Sequence, residues 1–130
     1  MTSEGHKNRC RFTVVDDDAH TLFFVERALR AGFPEAIITT FADGIEALDH
    51  VRKVGTDLLV TDHSMIHMNG AELIRHLRSD GFDLPIIMVS NSPHAQEAGE
   101  AAGATKFLEK GEAVRVLSGV VRELLPNCSG

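Results

Sequence analysis

The sequence has no tryptophan, no tyrosine and only two cysteines among its 130 residues. It also has no apolar run near the roughly 18 residues that a membrane-spanning helix needs, and residues 1–11 lack the apolar segment of a secretory signal. Hydrophobic residues make up 43% of the chain and charged residues 25%, which is the balance of a soluble globular protein. We therefore expect one cytoplasmic domain with a single core and no membrane contact.

Two cysteines are too few for a disulfide framework, and Cys10 and Cys128 lie near opposite ends of the sequence. Thiols stay reduced in the cytoplasm, where this chain is expected to reside. We expect both cysteines to be free, with a bridge between them as the less favoured alternative.

Positive charge is also scarce, because 13 lysines and arginines face 19 carboxylates and leave a net charge of −6. A general nucleic-acid-binding protein needs a basic surface, so this domain is not predicted to bind nucleic acid. The acidic excess is compatible with a site for a divalent cation.

Short apolar segments alternate with amphipathic ones along the chain, which predicts five strand–helix pairs. Such alternation favours a parallel sheet with helices on both faces, and the near-continuous apolar strands agree with burial on both sides. The sequence thus predicts one doubly wound α/β domain at 11–125, between a polar lead at 1–10 and a tail at 126–130. Strands are predicted at 11–17, 36–41, 57–62, 85–90 and 104–110, and helices at 19–31, from 43, 70–79, 92–103 and 112–125.

Polar signals mark several of the predicted helix ends. Asp18 and Asp43 are predicted to cap the first and second helices with their side chains. Ser92 followed by Pro93 predicts a capped start for the fourth helix, which Gly103 is predicted to end.

Charged and hydroxyl side chains follow four of the predicted strands. Asp16 and Asp17 end the first strand, Asp62 the third, Ser90 the fourth and Lys110 the fifth. In a parallel sheet these ends meet at one edge, where ligands of such folds bind. Carboxylates there suit Mg²⁺, while a lysine and a hydroxyl suit an anion. Together they can transfer a phosphoryl group to a carboxylate, and because no glycine-rich nucleotide loop occurs, that group must arrive on another molecule.

Five motifs in order resemble the receiver domain of two-component response regulators: VVDDD, FADGIEAL, LLVTDHSMIHMNG, PIIMVSNS and AAGATKFLEK. The resemblance covers 11–125 and implies a flavodoxin-like receiver fold with strand order 2-1-3-4-5. It implies a cytoplasmic signalling phosphoprotein that is not an enzyme beyond its own phosphorylation and dephosphorylation. The implied phosphoryl donor is a histidine kinase or a histidine phosphotransfer protein. A downstream effector or a second copy of the chain is implied on the surface formed by the fourth helix, fifth strand and fifth helix.

The resemblance also assigns a metal site and a phosphoacceptor. Asp62 matches the phosphoacceptor and is one of the groups around Mg²⁺. Asp17 matches a direct ligand of that ion, and Asp16 a ligand acting largely through water. Ser64 matches the position whose backbone carbonyl binds the same ion.

Three further positions match the residues that respond to the phosphoryl group. Lys110 matches the lysine that pairs with it, Ser90 the switch hydroxyl that bonds to it, and Phe107 the aromatic residue whose rotamer reports the state of the site. Plain core packing is an equally favoured interpretation of Phe107. The family usually has proline where this chain has Ile66 and Gly111, so we expect a looser loop around Lys110.

Other functions compete with this interpretation. A pseudo-receiver would bind partners without being phosphorylated, and Ile66 and Gly111 keep that alternative open. A haloacid-dehalogenase-like phosphatase would need D-x-D-x-[TV] after the first strand, a pattern that His20 breaks. His63 and His67 have a spacing that can bind zinc, but no third ligand is evident.

The last predicted helix has more apolar positions than one packed stripe requires. We therefore expect part of its surface to face a partner. The positions are Val114, Val116, Leu117, Val120, Val121, Leu124 and Leu125.

Overall fold

The structure is a computed structural model that describes residues 9–128. Most of the predicted polar lead, and the last two residues of the predicted tail, lie outside this range. None of the helices within it has the length and apolar character needed to cross a membrane. The elements are β1 (Arg11–Val15), α1 (Ala19–Gly32), β2 (Ile37–Phe41), α2 (Gly44–Val54), β3 (Leu58–Thr61), α3 (Gly70–Ser79), β4 (Ile86–Val89), α4 (Ala95–Ala102), β5 (Lys106–Leu108) and α5 (Lys110–Leu124).

The five strands form one parallel sheet in the order β2-β1-β3-β4-β5, which confirms the predicted fold. The order reverses at β1, so the ends of β1 and β3 define the edge where a ligand is expected. Val15 pairs with Thr61 across these two strands. The residues that follow them, Asp16 and Asp62, are consequently neighbours.

Two apolar clusters cover the two faces of the sheet. One joins the sheet to α1 and α5, and its Phe12 and Phe33 rings meet edge to face at 5.3 Å. The other joins it to α2, α3 and α4 through residues such as Leu73, Ile74 and Met88. Strands buried on both faces explain the near-continuous apolar segments of the sequence.

Arg78, near the end of α3, links segments on the face of the sheet that α2, α3 and α4 cover. Its guanidinium donates to the carbonyls of Phe82 (3.0 Å), Leu84 (2.8 Å) and Gly103 (2.9 Å). These carbonyls belong to the α3–β4 connection and the turn after α4. One half-buried side chain therefore ties α3 and the connection that follows it to the turn after α4, 25 positions further along the chain.

Helix α5 exposes less apolar surface than the sequence predicts. Leu117 and Val121 are buried, and four of the other positions pack partly against the first cluster. Val114 is the large apolar residue of α5 that is left exposed, at 56%. It lines a cavity of about 230 Å³ between α1 and α5, beside Phe24 of α1. The expected apolar surface is thus reduced to this position.

The helix ends were predicted with mixed success. Asp18 and Asp43 cap α1 and α2 with their side chains, as predicted, and Gly103 ends α4 with a φ of 111°. The predicted start at Ser92–Pro93 is wrong, because α4 begins at Ala95 after His94, which has a φ of 65° and no side-chain cap.

Cys10 and Cys128 form a disulfide, contrary to the expectation of free thiols. The Cα atoms lie 5.9 Å apart although the residues are separated by 118 positions. Cys10 directly precedes β1, and Cys128 follows α5 after a short turn. The sequence could not predict this pairing because adjacency of the two ends arises only from the completed sheet.

Candidate functional site at the carboxyl edge of the sheet

Three carboxylates meet at the ends of β1 and β3. Asp16, Asp17 and Asp62 each offer an oxygen, and these oxygens all lie within 4.8 Å of one another. Asp16 and Asp62 are 3% and 5% exposed, whereas Asp17 is open to solvent. The backbone holds the two buried residues in place, since the amide of Asp62 donates to the carbonyl of Val15 (3.1 Å) and that of Asp16 to the carbonyl of Phe41 (3.0 Å).

The clustering perturbs Asp16 most. Burial, opposed by a hydrogen bond from the Asp18 amide and reinforced by the charge of Asp62, raises the pKa of Asp16 to about 6. A carboxylate kept at such a pKa is ionised at neutral pH at a cost in stability, and a cation placed among the three oxygens would remove that cost. Carboxylate oxygens are the ligands that Mg²⁺ prefers, so the donor set fits this ion.

Lys110 supplies positive charge to the cluster. Its Nζ lies 3.5 Å from Oδ2 of Asp62 and 3.7 Å from Oδ2 of Asp16. Burial acts to lower the pKa of Lys110, but attraction to Asp16 and Asp62 outweighs it and the net shift is upward. The ammonium is therefore fixed in its charged form beside the carboxylate of Asp62.

The backbone of Lys110 does not lie where the sequence predicted. We expected it at the end of the last strand, but β5 ends at Leu108 and Lys110 is the first residue of α5. Its amide donates to Oδ1 of Asn91 (3.0 Å), a residue of the β4–α4 loop. This bond joins the start of α5 to the β4–α4 loop, and the looser loop expected from Gly111 stays a prediction.

Hydrogen bonds link three serines in the segments that follow β3 and β4. Ser90, which is fully buried at the end of β4, accepts a hydrogen bond from the Ser92 amide through its Oγ (3.1 Å). The hydroxyl of Ser92 bonds to that of Ser64 (2.6 Å), which belongs to the loop after β3. Since Ser90 acts as an acceptor in its bond with Ser92, its hydroxyl hydrogen is free to be donated elsewhere.

Phe107 lies on β5, paired in register with Met88. Its side chain is half-buried against the second apolar cluster. It also lines an open groove of about 450 Å³ that reaches Ser90 and is bordered by Glu97, Glu100 and Glu109, among other residues. The structure places Phe107 and Ser90 on one groove, which is compatible with both a switch and a packing role.

The residues suggested for a zinc site or a phosphatase site make other contacts. His67 has a φ of 71° and its Nδ1 lies 3.2 Å from Oδ2 of Asp43, whereas His63 follows the phosphoacceptor candidate directly and its amide donates to Oδ1 of Asp62 (2.7 Å). The carboxylate of Asp18 accepts bonds from the His20 amide and the Thr21 hydroxyl. The phosphatase pattern would need that carboxylate as its second acid.

Gly70 is a residue that sequence reasoning missed. Its amide donates to the carbonyl of His63 (2.8 Å), and a Cβ at this position would collide with the carbonyl of Asp62. The start of α3 therefore packs directly against the backbone of the candidate phosphoacceptor. The asparagine–glycine pair of the MNG segment was the available signal, because Asn69 also caps this helix.

Comparison with known proteins gives consistent results. The family model described as the response regulator receiver domain matches residues 12–122. Response regulator MprA of Mycobacterium avium is 38% identical over 117 residues, which is 88% of this chain and 50% of that protein. MprA of Mycobacterium leprae is 37% identical over 117 residues, which is again 88% of this chain and 50% of that protein. The chain thus spans about half the length of the curated relatives it matches.

Solved structures agree on the fold. Chemotaxis response regulator CheY4 of Vibrio cholerae has a TM-score of 0.77 at 29% identity, with 91% of this chain and 100% of that chain covered. The receiver domain of Francisella response regulator 1452 has a TM-score of 0.80 at 25% identity, with 91% and 98% covered.

Proposed function

Because the chain belongs to the response regulator receiver domain family, we propose that it accepts a phosphoryl group on Asp62 and thereby changes its affinity for a partner. The observation that carries this proposal is the buried carboxylate of Asp62 beside the Lys110 ammonium, at 3.5 Å, with two further carboxylates around it. The phosphoryl donor is a phosphorylated histidine of a kinase or phosphotransfer protein. The cytoplasm is the compartment in which such a donor operates.

The reaction needs a nucleophile and a means of balancing charge. A carboxylate oxygen of Asp62 attacks phosphorus, and the new O–P bond forms as the P–N bond to the donor imidazole breaks and the imidazole leaves. Lys110 neutralises part of the negative charge on the transferred group, and the free hydroxyl hydrogen of Ser90 becomes a donor to one of its oxygens.

Asp16, Asp17 and Asp62 would hold Mg²⁺, with the backbone carbonyl of Ser64 as the further ligand that the resemblance implies. When bound, the ion stabilises negative charge on the phosphoryl oxygens. Within the protein, Asp17 is the ligand that solvent reaches directly, while Asp16 is the buried one. Asp17→Ala should therefore weaken Mg²⁺ binding sharply, measured by calorimetric titration, and leave metal-free stability level or slightly raised. A large loss of metal-free stability would contradict a purely ligating role.

The partner surface of this proposal comprises α4, β5 and α5. The groove lined by both Ser90 and Phe107 supports this choice of surface. If the Ser90 hydroxyl turns toward a phosphoryl group on Asp62, it leaves space at one end of the groove that Phe107 also lines. Sedimentation of the protein with and without beryllofluoride tests whether the partner is a second copy. Lys106→Glu, at the exposed first residue of β5, is the suitable variant, since Val116 packs partly in the core.

Phosphorylation itself is tested by incubation with acetyl phosphate and Mg²⁺, followed by intact-mass measurement. The wild type should gain the mass of one phosphoryl group, and Asp62→Asn should gain none. Asp83→Asn, an exposed carboxylate on the α3–β4 connection, is the matched control and should behave as the wild type. Unmodified wild type with Mg²⁺ binding intact would favour the pseudo-receiver, and catalytic turnover of a generic phosphomonoester would favour the phosphatase.

A further inference from the structure

The Cys10–Cys128 disulfide lies at the end of the sheet opposite the carboxylates. Cys10 stands before β1 and Asp16 after it, so about 20 Å of extended chain separates them. The cysteines therefore make no contact with the carboxylate cluster. A redox change at the cysteines is chemically separate from phosphorylation, and it rests on the proposed function only through the cytoplasmic compartment.

Each cysteine is positioned by its own backbone. The carbonyl of Cys10 accepts a hydrogen bond from the Ile37 amide (2.9 Å), which extends the β1–β2 ladder by one residue. The amide of Cys128 donates to the carbonyl of Leu125 (3.0 Å), which forms the turn after α5. Both side chains also pack against the apolar cluster beneath α1 and α5. Two thiols held in this way stay neighbours when the bond between them is absent.

The pair is also within reach of small reagents, because both residues are only partly buried. Disulfides that form in a reducing compartment are usually transient or redox-sensing. We propose that Cys10 and Cys128 are a reversible redox modification site, which is oxidised by a low-molecular-weight disulfide and reduced by the corresponding thiol.

The chemistry is two successive thiol–disulfide exchanges. The thiolate of one cysteine attacks the small disulfide, forms a mixed disulfide and releases one small thiolate. The second cysteine, as its thiolate, attacks the protein sulfur of that mixed disulfide, forms the Cys10–Cys128 bond and releases the other small thiolate. The two cysteines lose two electrons and two protons. The small disulfide takes up both and becomes two small thiols.

The consequence of closure is a change in stability. The bond closes a ring that contains nearly the whole domain, with a sequence separation of 118, and long rings restrict the unfolded chain most. For a domain of this size the expected rise in the unfolding midpoint is on the order of 10 °C. The same bond fixes the chain after α5 against the start of β1.

The experiment equilibrates the full chain in mixtures of reduced and oxidised glutathione, then blocks free thiols with a maleimide and measures intact mass. With excess oxidised glutathione the protein should carry no maleimide and no glutathione, and with excess reduced glutathione it should carry two maleimides. The oxidised form should melt on the order of 10 °C higher than the reduced form.

Cys10→Ser and Cys128→Ser are the matched controls. Each should stop at the mixed disulfide, carry one glutathione, and show no comparable rise in the midpoint. The proposal is overturned if both thiols of the wild type stay open to maleimide in excess oxidised glutathione, or if the bond resists reduced glutathione in the folded protein. Linkage between two chains, seen as a dimer on a non-reducing gel, would also overturn it.

Discussion

Asp16→Asn tests whether the buried carboxylate destabilises the metal-free domain. The amide keeps the size of the side chain and an oxygen that can accept from the Asp18 amide, a bond of 2.9 Å in the wild type. It removes a negative charge from a residue that is 3% exposed. We expect the variant to be more stable than the wild type at neutral pH when no divalent cation is present.

The magnitude follows from the pKa of Asp16, which burial raises from 3.8 to about 6. The folded state then holds the proton more tightly than the unfolded state, so protonation stabilises the fold. This contribution is fully present below pH 3.8 and is lost as the pH rises through about 6. The shift corresponds to about 3 kcal/mol at pH 7.5 and about 0.5 kcal/mol at pH 4. That pKa already includes the attraction to Lys110, so we expect a gain of up to about 3 kcal/mol at pH 7.5.

The assay is urea unfolding in the presence of a chelator at pH 7.5 and pH 4, with the free energy of unfolding taken from the transition. Asp17→Asn is the control, because its side chain is exposed and its charge costs the fold less. Addition of Mg²⁺ at pH 7.5 should stabilise the wild type and not Asp16→Asn. Equal stability of variant and wild type at pH 7.5, or a gain that persists unchanged at pH 4, would refute the reasoning.

Two further positions, each with a matched control, test the packing of the domain. Gly70→Ala places a methyl group against the backbone of Asp62, so it should cost about 2 kcal/mol in urea unfolding and slow labelling by acetyl phosphate. Gly119→Ala in α5, where nothing lies within 4 Å of the added carbon, should instead stabilise by up to about 1 kcal/mol. An equal loss at Gly119 would show that the clash with the backbone of Asp62 is not the cause of the loss at Gly70. Arg78→Met removes the donors of three backbone carbonyls and should cost about 2–4 kcal/mol. Exposed Arg75→Met should cost little, and equal effects would contradict the bonding role of Arg78.

Sequence reasoning worked for the sheet because its signals are local. Each strand is a short apolar segment that ends in a polar residue, and a parallel sheet brings such ends to one edge whatever the details of the loops. That logic placed Asp16, Asp17 and Asp62 together, and it placed Lys110 within reach of them. It did so even though Lys110 begins a helix instead of ending a strand.

The errors came from contacts between segments that are distant in sequence. Ser92 followed by proline is a good local cap, but its hydroxyl bonds to Ser64 and its amide to Ser90, so the helix starts later. The role of Asn91 depends on the position of β5, which local pattern does not reveal. The cysteine pair depends on both ends of the chain reaching one side of the sheet.

That last feature determines where any neighbouring segments would attach. Because the Cα atoms of Cys10 and Cys128 lie 5.9 Å apart, the chain enters and leaves the domain at the same place. That place is the edge of the sheet opposite Asp62. The matched MprA proteins are about twice as long as the region they share with this chain. Any segment that precedes Cys10 or follows Cys128 would leave the domain at this edge of the sheet. A conformational change caused by the proposed phosphorylation of Asp62 would reach such a segment through α4, β5 and α5. The alternative is that the segment folds back over the surface and contacts the site directly.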